Sequence, residues 1–454
     1  MNEDRESKPS LLFIYCDQMR GQAMGCAGNR QVRTPHLDRL ASQGVMFTNA
    51  IANCPVCTPN RGVLLTGKYP LSHKAVANDV PLPPDDASWG NVLRDAGYRT
   101  GYIGKWHLDG VPRDRFTPPG ERRHGFDYWA AWNCSHAYFN ARYFRDDPEA
   151  ISINGYEPDH QTDLAIEFLR EESDQPFFLI VSWGPPHAPY QLVPEEYRSL
   201  YNPETLELRP NCENPDRRAL ADYYAAITAL DHNVGRLMDA LNEMDLARNT
   251  IVVFTSDHGD MLWSQGHIKK ERSWEESILV PFIIRYPGVV PERKSHDVLL
   301  GTVDVMPSLL SLMGIPIPDG VEGMDLSAVM RGEPCDGPES AFLTIPVPVD
   351  QAVAANIGEW RGVRTKRYTY ARWQDGSGWV LYDNEKDPYQ LGNLIYDPES
   401  VNIKEKLEGE LQRHLDRIGD RFLPWQEHIK ELNLEQVWHR REEYMHPRNP
   451  RLLD

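Results

Sequence analysis

Basic residues are in short supply in this sequence. Against 67 aspartates and glutamates stand 48 lysines and arginines, a formal net charge of −19. Such a deficit excludes a broad nucleic-acid or anionic-membrane surface, because phosphate binding needs a basic face. A small anionic substrate stays open, since its cations need only be local. Cysteine is sparse too: Cys16, Cys26, Cys54, Cys57, Cys134, Cys212 and Cys335 are seven scattered positions in 454. An odd, dispersed set does not make the disulfide framework of a small secreted domain, so at least one thiol is expected free. The start lacks a long apolar run. After the polar MNEDRESKPS comes only LLFIYC (11–16), too short for a signal-peptide core or a membrane span. The expected location is the cytoplasm as the chain is written, or the periplasm or exterior if a leader peptide was removed.

What is present resembles an ordinary globular enzyme, 41% apolar and 25% charged. LLFIYC reads as a buried parallel strand ending at Asp17-Gln18, and TPHLDRLASQG after it as a helix. The alternation continues with a helix over 89–97, strands over 98–104 and 177–183, a long helix from 217 to about 248, and strands over 250–257 and 280–286. VDVMPSLLSLMG (303–314) reads as a helix capped by Asp304 and closed by Gly314. Strands separated by helices predict an α/β fold, a large and mostly parallel sheet covered on both faces. Loop-like composition near 315–340 marks a boundary. Residues 1–335 are expected to form the α/β catalytic domain, 336–430 a smaller α+β subdomain with an antiparallel sheet and a helix at about 401–418, and 431–454 an irregular tail.

Ligands of doubly wound sheets bind beyond the carboxyl ends of the strands, which makes those ends the places to look for chemistry. They deliver Asp17 and Gln18, Asp257 and His258, Lys105 and His107, and, through GPP, His187. Two strands ending in an acid plus a second ligand type suit a divalent cation held mainly through oxygen. Separately, CPVCTPNRG (54–62) places Cys57 just before Thr58, a natural N-cap, and Pro59, favoured in a first helical turn. Cys57 is therefore expected at a helix N-terminus, where free N–H groups favour an anion or a negative charge on the thiol, with Arg61 one turn on. A structural zinc site lacks a second ligand pair, and thioredoxin-like chemistry leaves the strand-end residues idle. A Cys54–Cys57 turn disulfide stays open.

Further motifs accompany these residues in order: Cys57-Thr58-Pro59-Asn60-Arg61 followed by LLTGKYP, TPHLDRLASQGVMFTNA, GYRTGYIGKWHL, HGFDYW, SDHGDM, WEESILVPFIIRYPG, VDVMPSLLSLMG and LYDNEKDPYQLGNL. On these the chain resembles the formylglycine-dependent (type I) sulfatases of the alkaline phosphatase superfamily, over residues 10 to 395 at least. The resemblance implies that Cys57 is oxidised to formylglycine by a maturation enzyme. One hydroxyl of the hydrated aldehyde then attacks sulfur, and the other expels sulfate. By the same matching Asp17, Gln18, Asp257 and His258 bind a metal together with residue 57, calcium first, with manganese or magnesium as alternatives. Arg61 and Lys105 would stabilise the alkoxide, His107 would accept a proton during ester breakdown, and His187 and Lys270 would hold the sulfate near its leaving oxygen. Asn60 stands where serine is common, and Gln18 and His258 where many relatives carry Asp and Asn. The aromatic stretch 125–144 offers Trp129, Trp132 or His136 as a sugar contact, or else as core. The expected function is hydrolysis of a sulfate monoester, with a carbohydrate as substrate. The alternatives are a phosphonate monoester hydrolase or phosphodiesterase on the same site, and an unmatured protein that binds a sulfated ligand. Oligomeric state is left undefined.

Overall fold

In the computed structural model, which describes residues 8–446 apart from 172 and 174, all of LLFIYC is buried. Leu12, Ile14 and Cys16 join one apolar cluster and Leu11, Phe13 and Tyr15 another, because successive side chains leave opposite faces of a strand. This strand, β1 (Ser10–Asp17), lies inside an eight-stranded sheet with β2 (Val45–Ile51), β3 (Arg99–Lys105), β4 (Tyr128–Trp132), β5 (Phe177–Pro186), β6 (Thr250–Ser256), β7 (Phe282–Arg285) and β8 (Lys294–Gly301). The order is β8-β2-β7-β6-β1-β5-β3-β4. Only β7 is antiparallel to its neighbours; the other pairings are parallel. Helices Pro35–Ser42, Glu157–Arg170 and Arg217–Glu243 cover one face. Trp89–Asp95 and Thr302–Leu312 cover the other. The expected α/β architecture is the observed one.

Three of these strands, β2, β4 and β8, were not anticipated. Half of β8 is polar and solvent-facing, and β2 alternates only loosely between buried and exposed positions, so neither presents the continuous apolar run of a central strand. Asp304 is not the cap residue of its helix. It sits at the third helical position, where its carboxylate accepts from the Gly301 and Met324 amides at 2.8 Å each. The long helix ends at Glu243, before the expected 248, and a short 3-10 turn, Ala247–Asn249, leads into β6.

A second sheet runs β9 (Ser340–Ile345), β10 (Trp360–Thr365), β11 (Tyr368–Trp373) and β12 (Gly378–Asp383), each antiparallel to the next. Helix Val401–Ile418 lays Leu407, Leu411 and Leu415 on one face, against Phe342, Val363, Tyr370 and Leu381. The other face packs Leu343, Ile345 and Trp360 against Ile51, Cys54 and Val56 of the large unit. The tail expected to be irregular contains a helix, Glu435–Met445. Trp438 packs on Trp425 with ring centroids 5.2 Å apart, and the Arg441 Nε donates to the Asn78 carbonyl at 2.7 Å. Arg441 is its one buried position, so no apolar stripe advertised it. Residues 447–454 of that tail lie outside the described residues. No helix among the described residues is long and apolar enough to cross a membrane.

Gly104 closes β3 against β5 with φ of +104°, and a Cβ there would lie 2.0 Å from the Ser182 carbonyl oxygen. Backbone cannot yield that distance without parting the strands. Gly104→Ala is expected to cost about 3 kcal/mol of stability in urea unfolding. A shift within about 0.5 kcal/mol would show that this approach does not set the strand spacing.

Candidate active site

The β1–β6 register pairs Cys16 with Ser256, so the next residues, Asp17 and Asp257, leave the sheet side by side. Gln18, in the left-handed region at φ 72°, donates its backbone N–H to Asp257 Oδ1 at 3.0 Å. Cys57 is the first residue of helix Cys57–Thr66, with Val56 as its cap; the expected cap, Thr58, is one position inside. Its Sγ lies 3.6 Å from Asp17 Oδ1 and 3.2 Å from His258 Nε2, and it accepts from Lys270 Nζ at 2.7 Å. Lys270, not its neighbour Lys269, makes that contact. No disulfide forms: all seven cysteines, Cys54 included, are free thiols.

Ligand atoms of Asp17, Cys57, Asp257 and His258 all lie within 4.8 Å of one another, and all four residues are buried. Two further observations fit a cation. His258 Nδ1 bonds the Gly259 carbonyl at 2.9 Å, which turns Nε2 toward both aspartates. Gln18 Nε2 donates to Asp260 Oδ2 at 2.7 Å, while its buried Oε1 has no partner. An orphaned buried carbonyl is costly unless something electropositive meets it.

Side-chain cations surround the same carboxylates. Arg61 is fully buried, its Nη2 3.3 Å from Asp17 and 3.0 Å from Asp257. Its Nε donates to Asp257 at 3.1 Å, and its Nη1 to Tyr15 Oη, the Lys105 carbonyl and Ser182 Oγ at 2.9 Å each. Lys105 Nζ lies 2.5 Å from Asp17 Oδ2. Burial works against charge on Asp17, yet Lys105, Lys270 and Arg61 together hold its carboxyl well below the usual range. Burial and Asp17 likewise oppose a Cys57 thiolate, and Lys270, Lys105 and His258 overcome them, so the thiol's pKa falls well below its ordinary value.

A cavity of about 440 Å³ opens above Cys57, with Lys105, His107, His136, His187 and Lys270 in its wall. His136 stacks on His187 with centroids 4.2 Å apart. Burial drives both imidazoles' pKa values well down, so both rings rest neutral. His187 Nδ1 is tied to the Ala188 carbonyl at 2.6 Å. His107 Nε2 meets Asp79 Oδ1 at 3.3 Å, and Arg113 grips Asp79 with Nε at 2.9 Å and Nη2 at 2.8 Å. Burial opposes a charged His107, but Cys134 and Asp79 push its pKa up to about 10.

Asp17, Gln18, Cys57, Arg61, Lys105, His107, His136, His187, Asp257, His258 and Lys270 therefore converge on one edge of the sheet. Trp129 and Trp132 do not join them. The first is buried with Tyr102 and Trp106, the second stacks on Phe144 at 5.0 Å, and of the aromatic stretch His136 alone is in the cavity wall. Asn78, Asp79 and Arg113 were missed, because they lie on turns that carry no periodic or motif signal, and Asp350 was missed because it opens a helix of only five residues, Asp350–Ala354.

A family model described as Sulfatase matches residues 9–315, and one described as N-sulphoglucosamine sulphohydrolase, C-terminal, matches 264–417. An ulvan-active sulfatase of Formosa agariphila is 40% identical over 95% of this chain and 86% of its own. An endo-4-O-sulfatase of Bacteroides thetaiotaomicron is 32% identical over 93% and 94%. The crystal structure of a putative sulfatase, yidJ, from Bacteroides fragilis superposes with a TM-score of 0.83 at 35% identity, covering 93% of this chain and 98% of that one.

Removing one partner of a buried ion pair strands the other charge. Arg61→Gln is therefore expected to destabilise the apo protein by about 3–5 kcal/mol in denaturant titration. A loss under about 1 kcal/mol would mean that Asp17 and Asp257 do not depend on the guanidinium.

Proposed function

This chain belongs to the sulfatase family of the alkaline phosphatase superfamily, and we propose that it removes sulfate from a carbohydrate ester at the site around Cys57. The supporting observation is the convergence of a buried, ionisable Cys57 with a four-residue ligand cluster and two lysine ammoniums in one cavity. The carbohydrate preference follows the ulvan-active and endo-4-O-sulfatase relatives.

Oxidation of Cys57 to formylglycine by a maturation enzyme would supply the hydrated aldehyde whose hydroxyl is the nucleophile. A divalent cation, calcium by the oxygen-rich donor set, would be held by Asp17, Gln18, Asp257, His258 and residue 57 and would supply Lewis acidity. Lys270, against the Cys57 side chain, and Lys105, beside Asp17, are placed to stabilise negative charge on residue 57 and on the sulfate oxygens. Arg61 has spent its donors on the two carboxylates, Tyr15, Ser182 and the Lys105 carbonyl, so it holds the ligand cluster and lends its field without touching substrate.

His187 keeps Nδ1 on the Ala188 carbonyl, which leaves Nε2 for the leaving oxygen. The ring rests neutral through burial, and an arriving sulfate raises its affinity for the proton it then delivers, with Lys270 beside the same oxygen. His136 contacts the sugar. His107, held through Nε2 by Asp79, has its buried Nδ1 unpartnered, and there it would take a hydroxyl proton from residue 57 once it has lost its own. Residues 1–335 would form the catalytic unit, and 336–430 a subdomain that supports it.

Cys57→Ala is expected to abolish turnover of matured enzyme, and tandem mass spectrometry of the tryptic peptide 40–61 should show conversion at Cys57 with Cys54 intact. An unmodified Cys57 after co-expression with a formylglycine-generating enzyme would favour a binding protein. Faster turnover of aryl phosphonate than aryl sulfate esters would favour the phosphonate hydrolase. Chelation should abolish activity and calcium restore it. Because a His107 that rests protonated cannot accept a proton, ester breakdown should accelerate as pH rises from neutrality toward about 10. A breakdown rate that falls over this range would remove His107 from that role.

A further inference from the structure

The cavity above Cys57 contains a cation, Lys269, that none of its anions pairs with. Lys105 faces Asp17 at 2.5 Å, Lys270 faces Cys57 at 2.7 Å, and Arg113 is committed to Asp79. Lys269 also lines the cavity, half-buried, and its ammonium has no hydrogen bond or ion pair among the described residues. Asp350, the acid in the same wall, accepts from Asn78 Nδ2 at 2.9 Å and has Arg441 Nη2 3.7 Å from its other oxygen. Both its oxygens are engaged there, and it acts on Lys269 only through its field.

The backbone holds Lys269 in this place at a cost. Its φ is +61°, a left-handed conformation that a lysine adopts reluctantly, and its N–H donates to Asp260 Oδ1 at 3.0 Å. Asp260 also receives Gln18 Nε2, so the residue that orients the metal-site glutamine fixes Lys269 as well. Burial and the neighbouring Lys270 lower the Lys269 pKa more than Asp260 and Asp350 raise it, and a second anion entering the cavity would oppose that shift. A sulfate ester carries a single negative charge, and Lys105 and Lys270 already stand around residue 57 to meet it.

We propose that the saccharide bearing the scissile sulfate carries a second anionic group, a carboxylate or another sulfate, and that Lys269 binds it. This rests on the sulfatase function proposed above. His136 Nε2, buried and without a partner on the same wall, would take a hydroxyl of the sugar between the two anions.

The test uses matured enzyme and four substrate types: monosulfated uronate disaccharides spanning the sulfate positions, the same compounds with the carboxylate reduced to an alcohol, disulfated disaccharides without uronate, and 4-nitrophenyl sulfate. Wild-type enzyme should prefer one dianionic class over the carboxyl-reduced monosulfates by about 10–100-fold in kcat/KM, and the preferred class tells carboxylate from sulfate. Lys269→Ala should lose that preference mainly through KM, by roughly tenfold or more beyond any loss on 4-nitrophenyl sulfate, and Lys269→Arg should retain it. Equal wild-type rates on dianionic and reduced saccharides, equal losses of Lys269→Ala on every substrate, or hydrolysis of the aryl ester with none of the saccharides would overturn the proposal. Matured enzyme that splits no sulfate ester at all would overturn the sulfatase function and this inference with it.

Discussion

The structure depends on how two buried carboxylates are kept side by side. Parallel pairing of β1 and β6 leaves Asp17 and Asp257 adjacent at the sheet edge, both essentially without solvent. Two like charges about 4 Å apart repel by roughly 4 kcal/mol even at an effective dielectric near 20, so the fold needs a countercharge that reaches both. Arg61 is that countercharge, and it comes from the helix that begins at Cys57. Neutralising the acids therefore docks the helix, and docking the helix delivers Cys57 Sγ to 3.6 Å from Asp17 and 3.2 Å from His258. The position of Cys57 follows from charge compensation in the sheet.

Much of this was legible in the sequence because it rides on periodicity. LLFIYC and TIVVFTS are buried on both faces, so their polar termini mark the sheet edge, and the Cys57-to-Arg61 spacing is one helical turn. What stayed hidden is the support. Asp79 holds His107 from a segment without regular structure, at φ 67°, and Arg113 reaches it from a loop 34 residues on. Nothing local to either residue encodes that meeting. The aromatics of 125–144 stayed ambiguous for another reason: composition could not separate a core Trp129 from a cavity His136, because both ring types serve burial and binding.

The second sheet has a mechanical part in this arrangement. Leu343, Ile345 and Trp360 pack against Cys54 and Val56, so the turn entering the Cys57 helix is clamped between two apolar surfaces. Arg364 reaches across to Glu275 with two hydrogen bonds, 2.8 and 3.0 Å, fastening the small sheet to the segment that follows Lys270. Met445, at the end of the last described helix, reaches the cavity wall itself. The smaller subdomain thus braces both sides of the site, the Cys57 helix and the Lys270 loop.

That bracing also separates two thiols three residues apart. Cys54 and Cys57 are equally buried, so desolvation alone would disfavour ionisation of both to a similar degree. Burial does push the Cys54 thiol's pKa well up, with Glu271 reinforcing it and Arg361 too weak to reverse it. Cys57 meets the same penalty and ends well below the ordinary thiol value, because Lys270, Lys105 and His258 face it. The difference in ionisation between the two thiols is therefore electrostatic. A C-x-x-C spacing that would suggest a redox pair becomes one inert packing thiol and one activated side chain, and the ammonium 2.7 Å from Cys57 decides which is which.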